Sequence, residues 1–80
     1  MRVLNKLVQV EVSPHQTPLA FEHQGRQVVK QILDHWKETG QWWVDEQEKS
    51  FFRVATEDAG LYELCHSHGE ACWVLTRVFD

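Results

Sequence analysis

The 80-residue sequence predicts a single, mainly β domain spanning residues 1–80. Its second half holds three apolar-rich runs, "FFRVAT", "GLYELC" and "CWVLTRVF", separated by short polar segments at the spacing of a β-meander. Near the N-terminus, "LVQVEV" alternates apolar and polar residues, as a half-buried strand does. Apolar residues make up 42% of the chain, with four Trp and four Phe, which is enough for a compact core.

The N-terminal third predicts three strands. The first runs from Leu7 to Val12 and ends at Ser13-Pro14. The segment "PLAFEHQGRQVV" then predicts a short strand, a turn at Gln24-Gly25 and a returning strand, because glycine readily adopts the positive φ of a tight hairpin.

The segment at residues 27–38 fits two structures. Its apolar residues follow helical spacing: Val28, Val29, Ile32, Leu33 and Trp36. Gly40 is placed to end such a helix, but no N-cap residue precedes it. The same run also fits a long, bulged strand that continues the Gly25 hairpin. Periodicity alone favours the helix, so the residues leave open an α+β alternative, with one helix at 27–38 packed on a β-meander.

Turn lengths predict the register of the last three strands. A loop at residues 57–59 pairs Val54 with Tyr62 and Phe52 with Leu64, and a hairpin closed at Cys65 and Cys72 pairs Leu64 with Trp73 and Tyr62 with Leu75. Both registers place the same residues on one face. The predicted core consists of Val10, Phe21, Val28, Ile32, Phe52, Val54, Tyr62, Leu64, Trp73, Leu75 and part of the Trp42-Trp43 pair.

The stretch "YELCHSHGEACWVL" raises the question of a metal site. A zinc ion needs four converging ligands, for which the candidates are Cys65, His66, His68 and Cys72. A single six-residue loop makes a cramped cage for them, so an ordinary hairpin is the favoured interpretation, ahead of a redox-sensitive cysteine pair. We predict no metal and no cofactor.

Two aromatic pairs, Trp42-Trp43 and Phe51-Phe52, point to a binding surface, because neighbours in an extended chain face opposite sides. The outward members form an exposed aromatic patch for a partner, unless the rim of a curved sheet covers them. The predicted binding residues are Trp42, Trp43, Phe51, Arg53 and Arg77.

Charge and motifs narrow the function classes. The formal charge of −4, with dispersed Lys and Arg, argues against a dedicated nucleic-acid binder. Weak binding of single strands by Trp42 or Trp43 with Arg53 and Arg77 is the alternative function. The sequence has no nucleophile-elbow pattern and no phosphate-binding glycine loop, so we predict no enzyme. No apolar run suits a signal peptide or a membrane span, and we expect a cytoplasmic protein with reduced cysteines.

Four motifs follow one another along the chain: "F-x-x-x-G" from Phe21, "V-x-x-I-L-D-H-W-K-E-T-G-Q-W-W" from Val29, "F-F-R-V-A-T-E-D-A-G-L-Y-E-L" from Phe51 and a terminal "W-V-L-T-R-V-F-D". In this order they resemble a family of small bacterial proteins of unknown function. Members of that family are often encoded near error-prone translesion DNA polymerases and lack the Cys/His loop.

The resemblance implies a long, bent strand at residues 27–36. It also implies a small, strongly curved antiparallel sheet or barrel of five or six strands, without assigned catalytic residues. The expected role is a non-catalytic protein-interaction module accessory to DNA repair. Its partner would be a repair polymerase or, as a homodimer, a second copy.

Overall fold

The computed structural model describes residues 2–38, 48–67 and 72–79, which form seven strands and no helix. The strands are β1 (Arg2–Val8), β2 (Val10–Val12), β3 (Pro18–Glu22), β4 (Arg26–Glu38), β5 (Lys49–Thr56), β6 (Leu61–Ser67) and β7 (Cys72–Phe79). Each pairs antiparallel with its neighbours in one sheet of order β1-β7-β6-β5-β4-β3-β2. No helix in these ranges could span a membrane.

The sheet curls into a half-barrel because its two edge strands are consecutive in the chain. Only Gln9 separates β1 from β2, although they lie at opposite edges of the sheet. The Glu22 N–H donates to the Gln9 carbonyl oxygen at 3.0 Å, so pairing with β3 begins immediately after β1 ends. The predicted curved antiparallel sheet is thus confirmed. The count of five or six strands is wrong, because the predicted strand at 7–12 starts at Arg2 and divides at Gln9.

Two bulges in β4 account for the helix-like spacing of its apolar residues. Its register against β5 shifts twice, between Val29 and Gln31 and between Ile32 and Asp34. Each bulge adds a residue and so reverses which face the following side chains occupy. Val29 and Ile32 pack against the core, and His35 stacks on Phe52, at a spacing of three residues. The long-strand prediction is confirmed, and the helical alternative at 27–38 is wrong.

The meander registers are confirmed for one hairpin and corrected for the other. Strands β5 and β6 pair as predicted, Phe52 with Leu64 and Val54 with Tyr62. Strands β6 and β7 are offset from the prediction: Leu64 faces Leu75 rather than Trp73, and Cys72 faces Ser67 rather than Cys65. Beyond a bulge at Thr76 the offset is three residues, and Tyr62 faces Val78 rather than Leu75. From Cys72 to Leu75 the offset is two, which keeps each side chain on its predicted face, because strand periodicity is two. Trp73 and Leu75 therefore still point into the core.

The core fills the concave side of the half-barrel. Its buried cluster consists of Phe21, Phe52, Val54, Tyr62, Leu64, Trp73, Leu75 and Val78, with Leu4, Val8, Val10, Val29 and Ile32 packed against it. Phe21 and Tyr62 meet edge-to-face, with ring centroids 5.1 Å apart. The predicted core is largely confirmed, with Val29 replacing Val28 because of the first bulge. The Trp42-Trp43 pair lies outside the described residues.

Candidate functional site on the outer face

The outer face of the sheet carries a continuous line of apolar side chains, which we name the apolar row. Successive register pairs connect five strands: Trp36 with Phe51, Phe51 with Cys65, Cys65 with Val74, and Val74 with Leu7. Leu7 is 70% exposed, and Trp36, Phe51 and Val74 are half-buried. The solvated face of an antiparallel sheet is ordinarily polar. An apolar row of this length therefore marks a candidate binding surface.

A second line of side chains, the charged row, runs beside the first. It alternates in sign across four strands: Asp34, Arg53, Glu63 and Arg77. The Glu63 side chain is only 5% exposed, whereas those of Arg53 and Arg77 are 40% and 44% exposed. Each guanidinium lies 3.9 Å from the Glu63 carboxylate. The buried Glu63 carboxylate thus compensates part of the positive charge of Arg53 and Arg77, while both guanidiniums reach solvent.

A bulge in β7 supports this buried carboxylate. The register of β6 against β7 shifts between Glu63 and Leu64, which places Thr76 as an additional residue opposite them. The Thr76 hydroxyl lies 2.8 Å from Glu63 Oε2 and 3.0 Å from the Glu63 carbonyl oxygen. Glu63 Oε1 is buried and makes no hydrogen bond within the described structure. Arg53 lies beside this oxygen and Arg77 beside Oε2, so the two guanidiniums together compensate the charge of the carboxylate.

Arg53 joins the two rows. Its guanidinium carbon lies 5.5 Å from the ring centroid of Trp36 and 5.1 Å from that of Phe79. Trp36 itself stacks on Phe51, with centroids 5.5 Å apart and planes 7° from parallel. Cation–π contacts of this kind hold an arginine in place without neutralising its charge. The result is an ordered platform of three aromatic rings and one guanidinium.

The structure brings together three of the five predicted binding residues. Phe51, Arg53 and Arg77 share the outer face, whereas Phe52 points inward and is 3% exposed. Trp42 and Trp43 lie outside the described residues. Sequence reasoning missed Trp36, Glu63 and Phe79. Trp36 could have been found by carrying the strand interpretation of residues 27–36 through to its pairing with β5.

The metal candidates do not converge. Cys65 belongs to the outer face, while the adjacent His66 stacks on Trp73 inside, with ring centroids 4.6 Å apart. His68 lies outside the described residues, and no group of three metal-ligating side chains is found in the ranges that the structure covers. Cys65 is a free thiol, and burial raises its pKa. Cys65 therefore acts as an apolar member of the row.

A family model described as a domain of unknown function matches residues 2–80, almost the entire chain. The chain belongs to the DUF6504 family. Membership of DUF6504 assigns no activity, so the outer face has to be interpreted from its own chemistry. No curated protein and no solved structure is significantly similar to this DUF6504 chain.

Proposed function

We propose that this DUF6504 protein is a non-catalytic interaction module that binds another protein through its outer face. The observation that carries the proposal is the apolar row, five side chains in register across five strands. Aromatic and arginine side chains are the residues that most often dominate protein interfaces. Here they occupy one face together with an exposed leucine. Covering this face would remove apolar surface from water, which favours association.

The two rows specify the chemistry of the partner. An apolar side chain suits the half-buried surface of Trp36, Phe51 and Val74. An acidic group suits Arg53 and Arg77, because both guanidiniums reach solvent while the Glu63 carboxylate between them is buried. Charge pairs at an interface rim add specificity and association rate more than affinity. The proposed ligand is therefore a protein surface that presents apolar residues beside an Asp or Glu.

The biological setting of the proposal comes from the family resemblance. A module encoded near translesion polymerases would act as an accessory to DNA repair, in a bacterial cytoplasm. The polymerase is accordingly the first partner to test, and a second copy of the chain is the next.

Affinity capture with matched variants tests the proposal. The tagged protein and its Leu7→Ser and Leu19→Ser variants are used to capture partners from nuclease-treated lysate of the source cell. Leu7 is 70% exposed within the apolar row, and Leu19 is 50% exposed on β3 outside it. We expect Leu7→Ser to lose a partner that the wild type and Leu19→Ser retain. The partner, once purified, should bind Phe51→Ala with about 2 kcal/mol less affinity.

Equal capture by Leu7→Ser and Leu19→Ser would contradict an interface on the outer face. The parallel Trp36–Phe51 stack beside Arg53 also suits a single-stranded nucleic acid, which is the second candidate. Nucleic-acid binding falls steeply as salt rises, whereas an apolar protein interface persists. Retention of oligonucleotide at low salt only, with no protein partner, would support this second candidate.

A further inference from the structure

The concave side of the half-barrel contains a cavity of about 110 Å³ that is separate from the outer face. It lies where the loop between β2 and β3 approaches β4, β5 and β6. The cavity is lined by three imidazoles, one ammonium group and two hydroxyls: His15, His35, His66, Lys37, Thr17 and Ser50. No Asp or Glu lines it among the residues that the structure describes. The lining is thus rich in hydrogen-bond donors and in groups that can carry positive charge.

Two of the imidazoles are held by stacking on core aromatic rings. His35 stacks on Phe52, with centroids 4.2 Å apart and planes 7° from parallel. His66 stacks on Trp73 at 4.6 Å and 10°. The hydrogen-bonding nitrogens of an imidazole lie at the ring edge, so stacking fixes the plane in which they point. The cavity therefore has two oriented imidazole groups.

The loop that brings His15 and Thr17 to the cavity is held by its own hydrogen bonds. The hydroxyls of Ser13 and Thr17 are 2.6 Å apart, and the Ser13 N–H donates to the Thr17 carbonyl oxygen at 2.9 Å. Ser50, on the opposite wall, is 3% exposed and pairs with both Lys37 and His66 in the strand register. Donors from four chain segments therefore line one cavity, and the loop that carries two of them is held in place before a ligand binds.

We propose that this cavity binds a small tetrahedral oxyanion, either free phosphate or sulfate or the terminal phosphate of a nucleotide. Hydroxyl, imidazolium and ammonium donors make strong, charge-assisted hydrogen bonds to such an ion. The volume equals that of about four water molecules, which suits an ion of this size. A divalent metal does not fit, because no three ligating side chains in the described ranges are grouped to hold one.

Charged and hydrogen-bonding groups reach the site from each element packed against it. The groups that face it are His15 from the loop, His35 and Lys37 from β4, Ser50 from β5 and His66 from β6. One opposing charge is Glu48, whose carboxylate lies 3.6 Å from Lys37 Nζ.

Titration of the intact protein with sodium sulfate, followed by two-dimensional NMR, tests the site. We expect saturable shifts at cavity residues, with a Kd of about 1 mM. Lys37→Gln and Ser50→Ala should each weaken binding about tenfold, since each removes a donor to a charged group. Lys30→Gln, which changes an exposed lysine of the same strand, should bind as the wild type does.

Two further titrations, with inorganic phosphate and with adenosine monophosphate, distinguish the sources of the ion. Tighter binding of the nucleotide supports a phosphate carried by a larger molecule, and tighter binding of phosphate supports the free ion. The absence of saturable shifts with all three ligands would overturn the proposal. Equal weakening by Lys37→Gln and Lys30→Gln, with Ser50→Ala unchanged, would overturn it as well, because the effect would then come from overall charge.

Discussion

The hydroxyl of Thr76 donates a hydrogen bond of 2.8 Å to the carboxylate of Glu63, and the same oxygen lies 3.0 Å from the Glu63 carbonyl oxygen. This contact depends on a bulge, because Thr76 is the additional residue that β7 places opposite β6 at that point. The Glu63 side chain, which is only 5% exposed, thus accepts one hydrogen bond and lies between two guanidiniums. The bulge, the buried charge and the exposed arginines form one structural unit beneath the proposed binding face.

Replacing Glu63 with Gln should destabilise the fold. The amide retains the shape of the side chain but removes the charge that compensates Arg53 and Arg77, and we expect a loss of about 1–3 kcal/mol of unfolding free energy. Urea denaturation measures it. Glu22→Gln, at an exposed position on β3, should change stability by less than about 0.5 kcal/mol. Equal stability of the two variants would show that the buried carboxylate contributes nothing.

The neighbours Phe51 and Phe52 should respond very differently to truncation. Phe52 is 3% exposed in the core, so Phe52→Ala should cost about 3–5 kcal/mol. Phe51 is half-buried on the outer face, and Phe51→Ala should cost about 1–2 kcal/mol. Urea denaturation of both variants checks the difference, with Phe52→Leu as a milder substitute if Phe52→Ala does not fold. Similar losses at both positions would contradict the assignment of faces.

Asp58 should give the turn after β5 a pH-dependent stability. A hydrogen bond from the Thr56 hydroxyl, aided by the Gly60 N–H, holds the pKa of the Asp58 carboxyl below its ordinary value of 3.8. The folded state therefore favours the charged form of Asp58. The stability that this preference adds to the fold is present above pH 3.8 and is lost as the pH falls through the lowered pKa.

Asp58→Asn should accordingly reduce stability at neutral pH and make stability less dependent on pH in the acid range. Urea midpoints measured from neutral pH down to about pH 3 test this. Glu57→Gln, at the adjacent exposed residue, serves as the control. A loss of stability that is the same at every pH would exclude the lowered pKa as its cause.

Gly60 should not tolerate a side chain. A Cβ at this position would lie 2.5 Å from Tyr62 Cε2 and 2.9 Å from the Thr56 hydroxyl oxygen. Since Tyr62 is a buried member of the core, Gly60→Ala should cost about 1–3 kcal/mol in thermal or urea unfolding. Ala59→Gly tests the same turn in reverse, because Ala59 has a φ of +67° that glycine adopts without strain. Ala59→Gly should leave stability unchanged or raise it slightly, and a large loss would contradict this view of the turn.

The two cysteines should differ in reactivity. Cys65 is 6% exposed and burial raises the pKa of its thiol, so little thiolate is available for alkylation. Cys72 is half-buried, and we expect iodoacetamide to label it much faster than Cys65 in the folded protein. Peptide mass spectrometry measures both rates, and the two should become similar in urea. Equal labelling rates without urea would show that the Cys65 thiol is more accessible to solvent than the structure indicates.

Local patterns in the sequence were sufficient to predict the meander. The alternation of Phe52, Val54, Tyr62 and Leu64, together with the loop at residues 57–59, predicted the β5–β6 register correctly, because a short turn leaves few ways to pair two strands. The same reasoning failed for β6 and β7, by two residues at Leu64 and by three at Tyr62, beyond the bulge at Thr76. Trp73 and Leu75 nevertheless lie on their predicted face, since a shift of two leaves a side chain on the same face.

The sequence by itself determined that the chain is mainly β and that Phe21, Phe52, Tyr62 and Trp73 belong to the core, because apolar alternation and turn residues act over a few neighbouring positions. Only the tertiary structure decided where β4 bulges, where the first strand divides at Gln9 and which outward residues align. These features depend on pairing between distant segments. The outer rows and the concave cavity follow from that pairing. Trp36 meets Phe51 through the pairing of β4 with β5, and Leu7 meets Val74 only when β1 pairs with β7.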